Sequence, residues 1–137
     1  MISDATVLAE VRAEWECVTN MKNLIARNLG LGQSHEFRNV SYTLSLFFGF
    51  SVLERALREL RKQKVFASKD DKLKEMMKKS RHILPWQDYA TVDEGREKRN
   101  GVAHRREIFE RASCWKYLDA IEAELVSWGI VAKVTQP

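Results

Sequence analysis

Apolar residues recur every three or four positions along most of the chain, and few segments alternate with a period of two. Residues 4–29 place Val7, Val11, Trp15, Val18, Ile25 and Leu29 on one helical face. That helix is predicted to close at Gly30-Leu31-Gly32, where glycine supplies the backbone freedom of a helix exit. Residues 37–65 predict a long second helix, with Val40, Leu44, Phe47, Phe48, Leu53, Ala56, Leu57 and Leu60 on a broad apolar face. Its second half adds outward charge, as a helix emerging from a core does. Ser68-Lys69-Asp70-Asp71 reads as a helix start, with Ser68 as N-cap and two carboxylates at the positive end. The third helix carries Leu73, Met76, Met77 and Ile83 and stops at Pro85. A fourth spans about 86–100, and the Asn100-Gly101 pair marks its exit. The fifth, about 107–128, repeats Ile108, Ala112, Trp115, Leu118, Ile121, Leu125 and Trp128, with Gly129 just past its end. Residues 130–134 are short enough to be extended without altering the class. The pattern predicts an all-α bundle of about five helices.

Composition sets the scale. A chain of 137 residues, 45% hydrophobic and 31% charged, with six glycines and two prolines, fits one compact domain over 1–137. No repeat, low-complexity tract or linker divides it. The start MISDATVLAEVRAEW is acidic and amphipathic, not a basic segment followed by an apolar one, so it does not read as a signal peptide. The most apolar stretch, residues 44–53, is far shorter than the ~20 residues of a spanning helix and reads as buried helix. No membrane association is expected. Cys17 and Cys114 form no paired motif and point to the reducing cytoplasm.

The net charge of +4 is unevenly spread. Asp4, Glu10, Glu14 and Glu16 crowd the first helix against Arg12. Arg55, Arg58, Arg61, Lys62 and Lys64 line the second, and Arg96, Lys98, Arg99, Arg105, Arg106 and Arg111 gather around residues 96–111. Such asymmetry suits a polyanionic partner, although a charge run is more often a solvated face. There are three histidines. No HExxH, zinc spacing or glycine-rich phosphate loop accompanies them, so neither metal nor cofactor is expected. His35 falls in a loop and His82 ends a basic helix, where an imidazolium complements the dipole.

His104 has different neighbours, in the stretch KRNGVAHRR. On an unbroken helix, 100° per residue sets Arg99 and His104 roughly 140° apart. A helix that ends at Asn100-Gly101 instead lets the turn fold His104 back toward Arg99. The pair then joins a permanent phosphate clamp to a group that titrates near neutrality, and Asn100 adds a donor and an acceptor. This suits RNA, whose 2′-hydroxyl can attack the adjacent phosphate without a metal. Such a reaction requires a base, an acid and a cation for the developing charge. One histidine cannot easily be both acid and base, whereas a two-fold partner brings a second copy. The bland alternative is that Arg99 and His104 merely cap helix ends and pair with Glu97 or Glu107.

Arg99-Asn100-Gly101-Val102-Ala103-His104 resembles the R-N-x-x-x-H signature of the HEPN superfamily (higher eukaryotes and prokaryotes nucleotide-binding domains). Ala103 and Arg105 also look typical of it. So do the all-α pattern, the chain length and the place of the motif after the penultimate long helix. Residues 50–57 (FSVLERAL) resemble the family's apolar helix with an inward glutamate. Glu54 would then support Arg99 or His104; otherwise it is an exposed carboxylate paired with Arg58 at i+4.

The resemblance implies a HEPN-like fold and a metal-independent endoribonuclease, a homodimer whose two motifs face across a shared cleft. Arg99 would hold the phosphate, His104 would move protons, Asn100 would position the phosphate, and Lys98, Arg105 and Arg106 would attract RNA. Members serve as toxins, often with an antitoxin protein, or as phage-defence effectors. Arg106 departs from the pattern, because members silenced by adenylylation carry a tyrosine there, so that form of control does not carry over. The other readings are a non-catalytic module that binds RNA or nucleotide, and a dimeric helical adaptor.

Overall fold

The computed structural model describes the backbone of residues 1–28, 35–105 and 111–132, and the side chains of residues 1–27, 40–101 and 111–132. The described residues form five helices in order: α1 (Ala5–Asn28), α2 (His35–Lys62), α3 (Leu73–Ser80), α4 (Tyr89–Arg105) and α5 (Arg111–Ser127). The described residues include no strand. The expected glycine exit at residues 30–32, Leu29, the expected start of the fifth helix at Glu107 with Ile108, and residues 133–134 of the tail lie outside the described residues.

Helix α2 is the hub, packed by α1, α3, α4 and α5. Val11, Trp15, Val18 and Ile25 of α1 are buried as their spacing predicts. Two ties across the surface fix α1 in place. Arg55 of α2 bridges Glu10 and Glu14, and Arg12 Nε donates to the carbonyl of Ile130 at 2.7 Å. At Gly49, α5 comes so close that an added Cβ would lie 2.4 Å from Leu118 Cδ2. Cys17 is exposed and Cys114 buried, both as free thiols.

The apolar face of α2 differs from the expected one. Leu53, Ala56, Leu57 and Leu60 are fully buried, but so are Leu46 and Phe50. Val40, Leu44 and Phe48 are instead exposed, Leu44 at 60%. Residues 44–53 are therefore not buried throughout. The segment is apolar on nearly all sides, so periodicity could not say which side meets the core. Tertiary packing chose the Leu46–Phe50–Leu53–Leu57 side and left a row at i, i+4 and i+8 in solvent.

The starts of α3 and α4 also moved. Ser68 is not an N-cap: its hydroxyl donates to the carbonyl of Asp70 at 2.7 Å, and Asp70 Oδ1 accepts the Lys72 N–H at 3.0 Å. These local bonds give the chain an alternative to helix over 68–72. Helix α3 begins at Leu73, behind an extended Lys72 with no side-chain cap. Ile83 lies beyond it, 56% exposed. Helix α4 starts three residues later than expected. The amides of Gln87 and Asp88 donate to the carboxylate of Glu124 on α5, at 3.0 and 3.1 Å to Oε2. Asp88 Oδ1 then accepts the Thr91 amide at 3.3 Å, as an N-cap does. His35, expected in a loop, is the first residue of α2.

Helix ends show what turn chemistry contributes. Gly129 (φ +69) closes α5: Ile130 N bonds Leu125 O at 3.0 Å and Gly129 N bonds Val126 O at 3.0 Å. Lys64 (φ 63) closes α2 by the same paired bonds, Val65 N to Leu60 O and Lys64 N to Arg61 O, both 3.0 Å. A side chain in the left-handed region costs about 1–2 kcal/mol, part of which glycine gives back as unfolded-state entropy. Lys64→Gly is therefore expected to stabilise the chain by about 0.5–1 kcal/mol and Gly129→Ala to destabilise it by about 1 kcal/mol. Urea midpoints of the two variants check both signs.

Candidate active site

The main correction concerns Asn100-Gly101. Helix α4 does not end there but runs through both residues to Arg105. Asn and Gly are poor helix formers, yet together they cost only about 1–2 kcal/mol. The packing of α4 outweighs that. Val92, Gly95 and Arg96 are buried on the side of α4 that faces α2 and α5, and Arg99 falls on the same side. Gly95 makes the approach possible, because a Cβ there would lie 2.8 Å from the Tyr117 ring and 3.0 Å from Phe50 Cζ. With the helix unbroken, the backbone positions of Arg99 and His104 stand roughly 140° apart round the axis. The turn that was to fold His104 back toward Arg99 within one chain is absent.

Arg99 is half-buried, with its guanidinium carbon 5.4 Å from the centre of the Phe50 ring. Burial pulls its pKa below the ordinary arginine value, the charge of Glu54 opposes that, and Arg96 adds to it. A guanidinium nonetheless stays charged at any working pH. No hydrogen bond or ion pair holds it among the described residues.

Glu54 forms the i, i+4 pair with Arg58. It accepts from Arg58 Nη2 at 3.1 Å, and its charge acts on Arg99. Lys98 turns to a different cluster, 3.5 Å from Glu94 and 5.7 Å from the centre of the Tyr117 ring. There the Tyr117 hydroxyl donates to Glu94 at 2.9 Å, and Lys116 sits 3.7 Å from the same carboxylate. The Tyr117 bond, then Lys116, holds Glu94 below the ordinary carboxylate range. Asn100 is exposed. His104 and Arg105 are helical in backbone, but their side chains, and all of Arg106, lie outside the described residues.

Arg96, counted with the basic cluster of residues 96–111, is buried at 5% exposure. Both its Nε and Nη2 lie 2.9 Å from Asp93 Oδ1. Glu124 had no sequence signal at all. It is a fully buried carboxylate on an apolar helix face, and its partners are amides 36 and 37 residues earlier. Among the described residues no group of three or more His, Cys, Asp or Glu could hold a metal ion, and no helix is long and apolar enough to cross a membrane.

No family model, curated protein or solved structure matches the chain.

Proposed function

We propose that the chain is a metal-independent endoribonuclease of the HEPN type, acting as a two-fold dimer. The observation that carries this reading is the state of Arg99. It is a half-buried guanidinium set against Phe50 with no carboxylate in ion-pair contact among the described residues, within the sequence R-N-x-x-x-H. A partly desolvated guanidinium suits an anion, and its planar fork matches a phosphate. In the proposed reaction the 2′-oxygen of RNA forms a bond to the adjacent phosphorus and the bond to the 5′-oxygen breaks. One group takes the 2′-hydroxyl proton and another protonates the leaving oxygen. Two copies of His104 supply these roles, and Arg99 offsets the charge on the phosphate oxygens.

The unbroken α4 makes the second copy more necessary, because Arg99 and His104 diverge within one chain. The exposed row Val40–Leu44–Phe48 supports a dimer. It is an apolar strip on α2 that ends two residues before Phe50, the residue under Arg99. Leu44→Asp is expected to leave the helical content intact, since Leu44 is 60% exposed, while converting the dimer to monomer and abolishing cleavage. Sedimentation velocity beside an RNA cleavage assay checks both, and a dimer that persists in the variant would contradict the assignment of this row.

A toxin or phage-defence effector, held in check by an antitoxin protein, is the biological setting that this reading implies. Induced expression in a bacterial host is then expected to arrest growth, and His104→Ala to relieve the arrest. Equal growth of cells carrying either form would contradict the toxin role. A non-catalytic module that binds RNA or nucleotide is the second reading, and it draws on the same isolated Arg99. Under it, Arg99→Ala loses binding whereas His104→Ala binds as before and no cleavage is seen with either.

A further inference from the structure

A second concentration of positive charge lies over the end of α2, the following loop and α3. Residues 62–82 hold eight Lys and Arg against three Asp and Glu, an excess of five, whereas the whole chain carries +4. The three carboxylates do little to neutralise this surface. Asp71 lies 3.3 Å from Arg58, outside the segment. Asp70 caps the Lys72 amide, and Glu75 is half-buried with Oε2 shut off from solvent. The side chains of Lys62, Lys64, Lys72, Lys74, Lys78 and Lys79 are exposed and make no ion pair among the described residues. Several cations elsewhere are matched: Arg55 with Glu10 and Glu14, Lys22 with Asp119, Arg96 with Asp93, Lys98 and Lys116 with Glu94.

On α3, packing turns the lysines outward. Leu73, Met76, Met77 and Ser80 face the core, so Lys74 and Lys78, one turn apart, project outward together, and Lys79 lies on the other flank of the exposed side. Arg61 draws the loop onto the end of α2 by donating to the carbonyls of Ser68 and Lys69, at 3.0 and 3.4 Å. At the end of α2 is an open cleft of about 520 Å³, lined by Arg61, Lys64, Val65, Phe66, Ser68 and, from just past the end of α3, Ile83. Its shape separates the candidate partners. A membrane-binding helix presents a protruding apolar face to lipid, but the apolar face of α3 is spent on the core. An apolar hollow rimmed by cations suits a flat base on a charged strand, the pairing used by proteins that bind single-stranded nucleic acid.

We infer that the lysine face of α3 and the adjoining cleft bind the phosphate backbone of single-stranded nucleic acid, at a surface distinct from the Arg99–His104 segment. Binding there does not depend on cleavage. Arg58, the i+4 partner of Glu54, and then Lys62 continue along α2 from the region of Arg99, roughly 12 Å from Glu54 to Lys62 along the axis. A strand held on α3 can therefore extend to Arg99.

The test measures fluorescence anisotropy of a labelled single-stranded oligouridylate, titrated with the full chain carrying His104→Ala over a range of salt concentrations. Adding Lys74→Gln, Lys78→Gln and Lys79→Gln is expected to weaken binding at least about tenfold at 0.1 M salt. It should also reduce the salt slope by about 0.7 per lysine lost. A comparison variant, Lys22→Gln with Arg27→Gln and Lys116→Gln, removes the same charge from other surfaces and is expected to change binding much less. Circular dichroism confirms that both sets fold. Unchanged binding by the α3 variant, an equal loss in the comparison variant, or binding to phosphatidylserine vesicles without binding to the oligouridylate would each overturn the inference. Cleavage by the unsubstituted chain is scored separately. Loss of binding in the α3 variant without any cleavage supports this surface and removes the ribonuclease, and unchanged binding with cleavage does the reverse.

Discussion

His104→Ala is expected to lower the rate of RNA cleavage by about 10²–10⁴-fold, the usual contribution of a positioned acid or base, without altering the fold. The structural half of that expectation rests on where residue 104 falls. It is in the last turn of α4, five positions beyond Arg99 and well past Val92, Gly95 and Arg96, the residues that hold the helix against α2 and α5. Arg99→Ala should cost a comparable factor for a different reason. It removes charge stabilisation and leaves a gap over Phe50, so its loss appears in RNA affinity as well as in rate. Replacement by lysine at 99 is expected to rescue only part, because a point charge does not reproduce the planar fork. Rate constants from single-turnover cleavage, with affinities for an uncleavable 2′-deoxy strand, separate the two residues. Equal effects of both substitutions on affinity alone would contradict the division of roles.

Glu124→Ala is expected to be among the most destabilising single changes, at about 3 kcal/mol. Its carboxylate is fully buried and receives the amides of Gln87 and Asp88 at the start of α4. Truncation strands both donors, at about 1–3 kcal/mol for a buried unsatisfied group, and leaves a cavity where α5 meets the start of α4. Glu124→Gln keeps an acceptor and the volume and should lose less.

The two variants also differ in pH dependence. Burial pushes the Glu124 carboxyl above its ordinary value, and the two amide bonds only partly oppose that. A carboxyl raised in the folded state binds its proton more tightly there than in the unfolded chain. Its favourable contribution is complete below the ordinary glutamate value, about 4.3, and is lost as pH rises through the folded value. The stability advantage of the unsubstituted protein over Glu124→Gln should therefore narrow from pH 4 upward. Denaturant unfolding at a series of pH values reads it directly, and a gap that widens would contradict the assignment.

The parts of the fold legible in the sequence were those specified locally. The α1 face of Val11, Trp15, Val18 and Ile25 lies in the core as its period demands, and Gly129 ends α5 because the chain there needs a left-handed residue. The parts that were not legible depend on distant partners. The start of α4 is set by Glu124, far along the sequence, and the start of α3 by competing bonds from Ser68 and Asp70. The apolar row Val40–Leu44–Phe48 looked the same as the core residues beside it, because composition does not say which side of an apolar helix is covered. Asn100-Gly101 misled for the opposite reason. A weak local preference for a break gave way to the packing of Val92, Gly95 and Arg96 in the turns before it.

That last point changes the candidate site. Arg99 and His104 were to meet through a broken helix, and the unbroken α4 separates them instead. Under the proposed function the site is completed between chains, so its chemistry depends on assembly. Arg99 is the part described most fully, half-buried over Phe50 and under the influence of Glu54. Lys98, in contrast, is bound up with Glu94 and Tyr117 and has less charge to offer a phosphate.

The central claim is cleavage by the 2′-hydroxyl without a metal, and one assay meets it directly. The purified protein is incubated in EDTA with a single-stranded RNA, and in parallel with the same sequence made as DNA, and the new ends are analysed by mass spectrometry. The proposed chemistry predicts cleavage of the RNA alone, 2′,3′-cyclic phosphate ends, and loss of the products when His104 is replaced by alanine. Cleavage that disappears with the chelator, extends to the DNA, or survives undiminished in His104→Ala would contradict it.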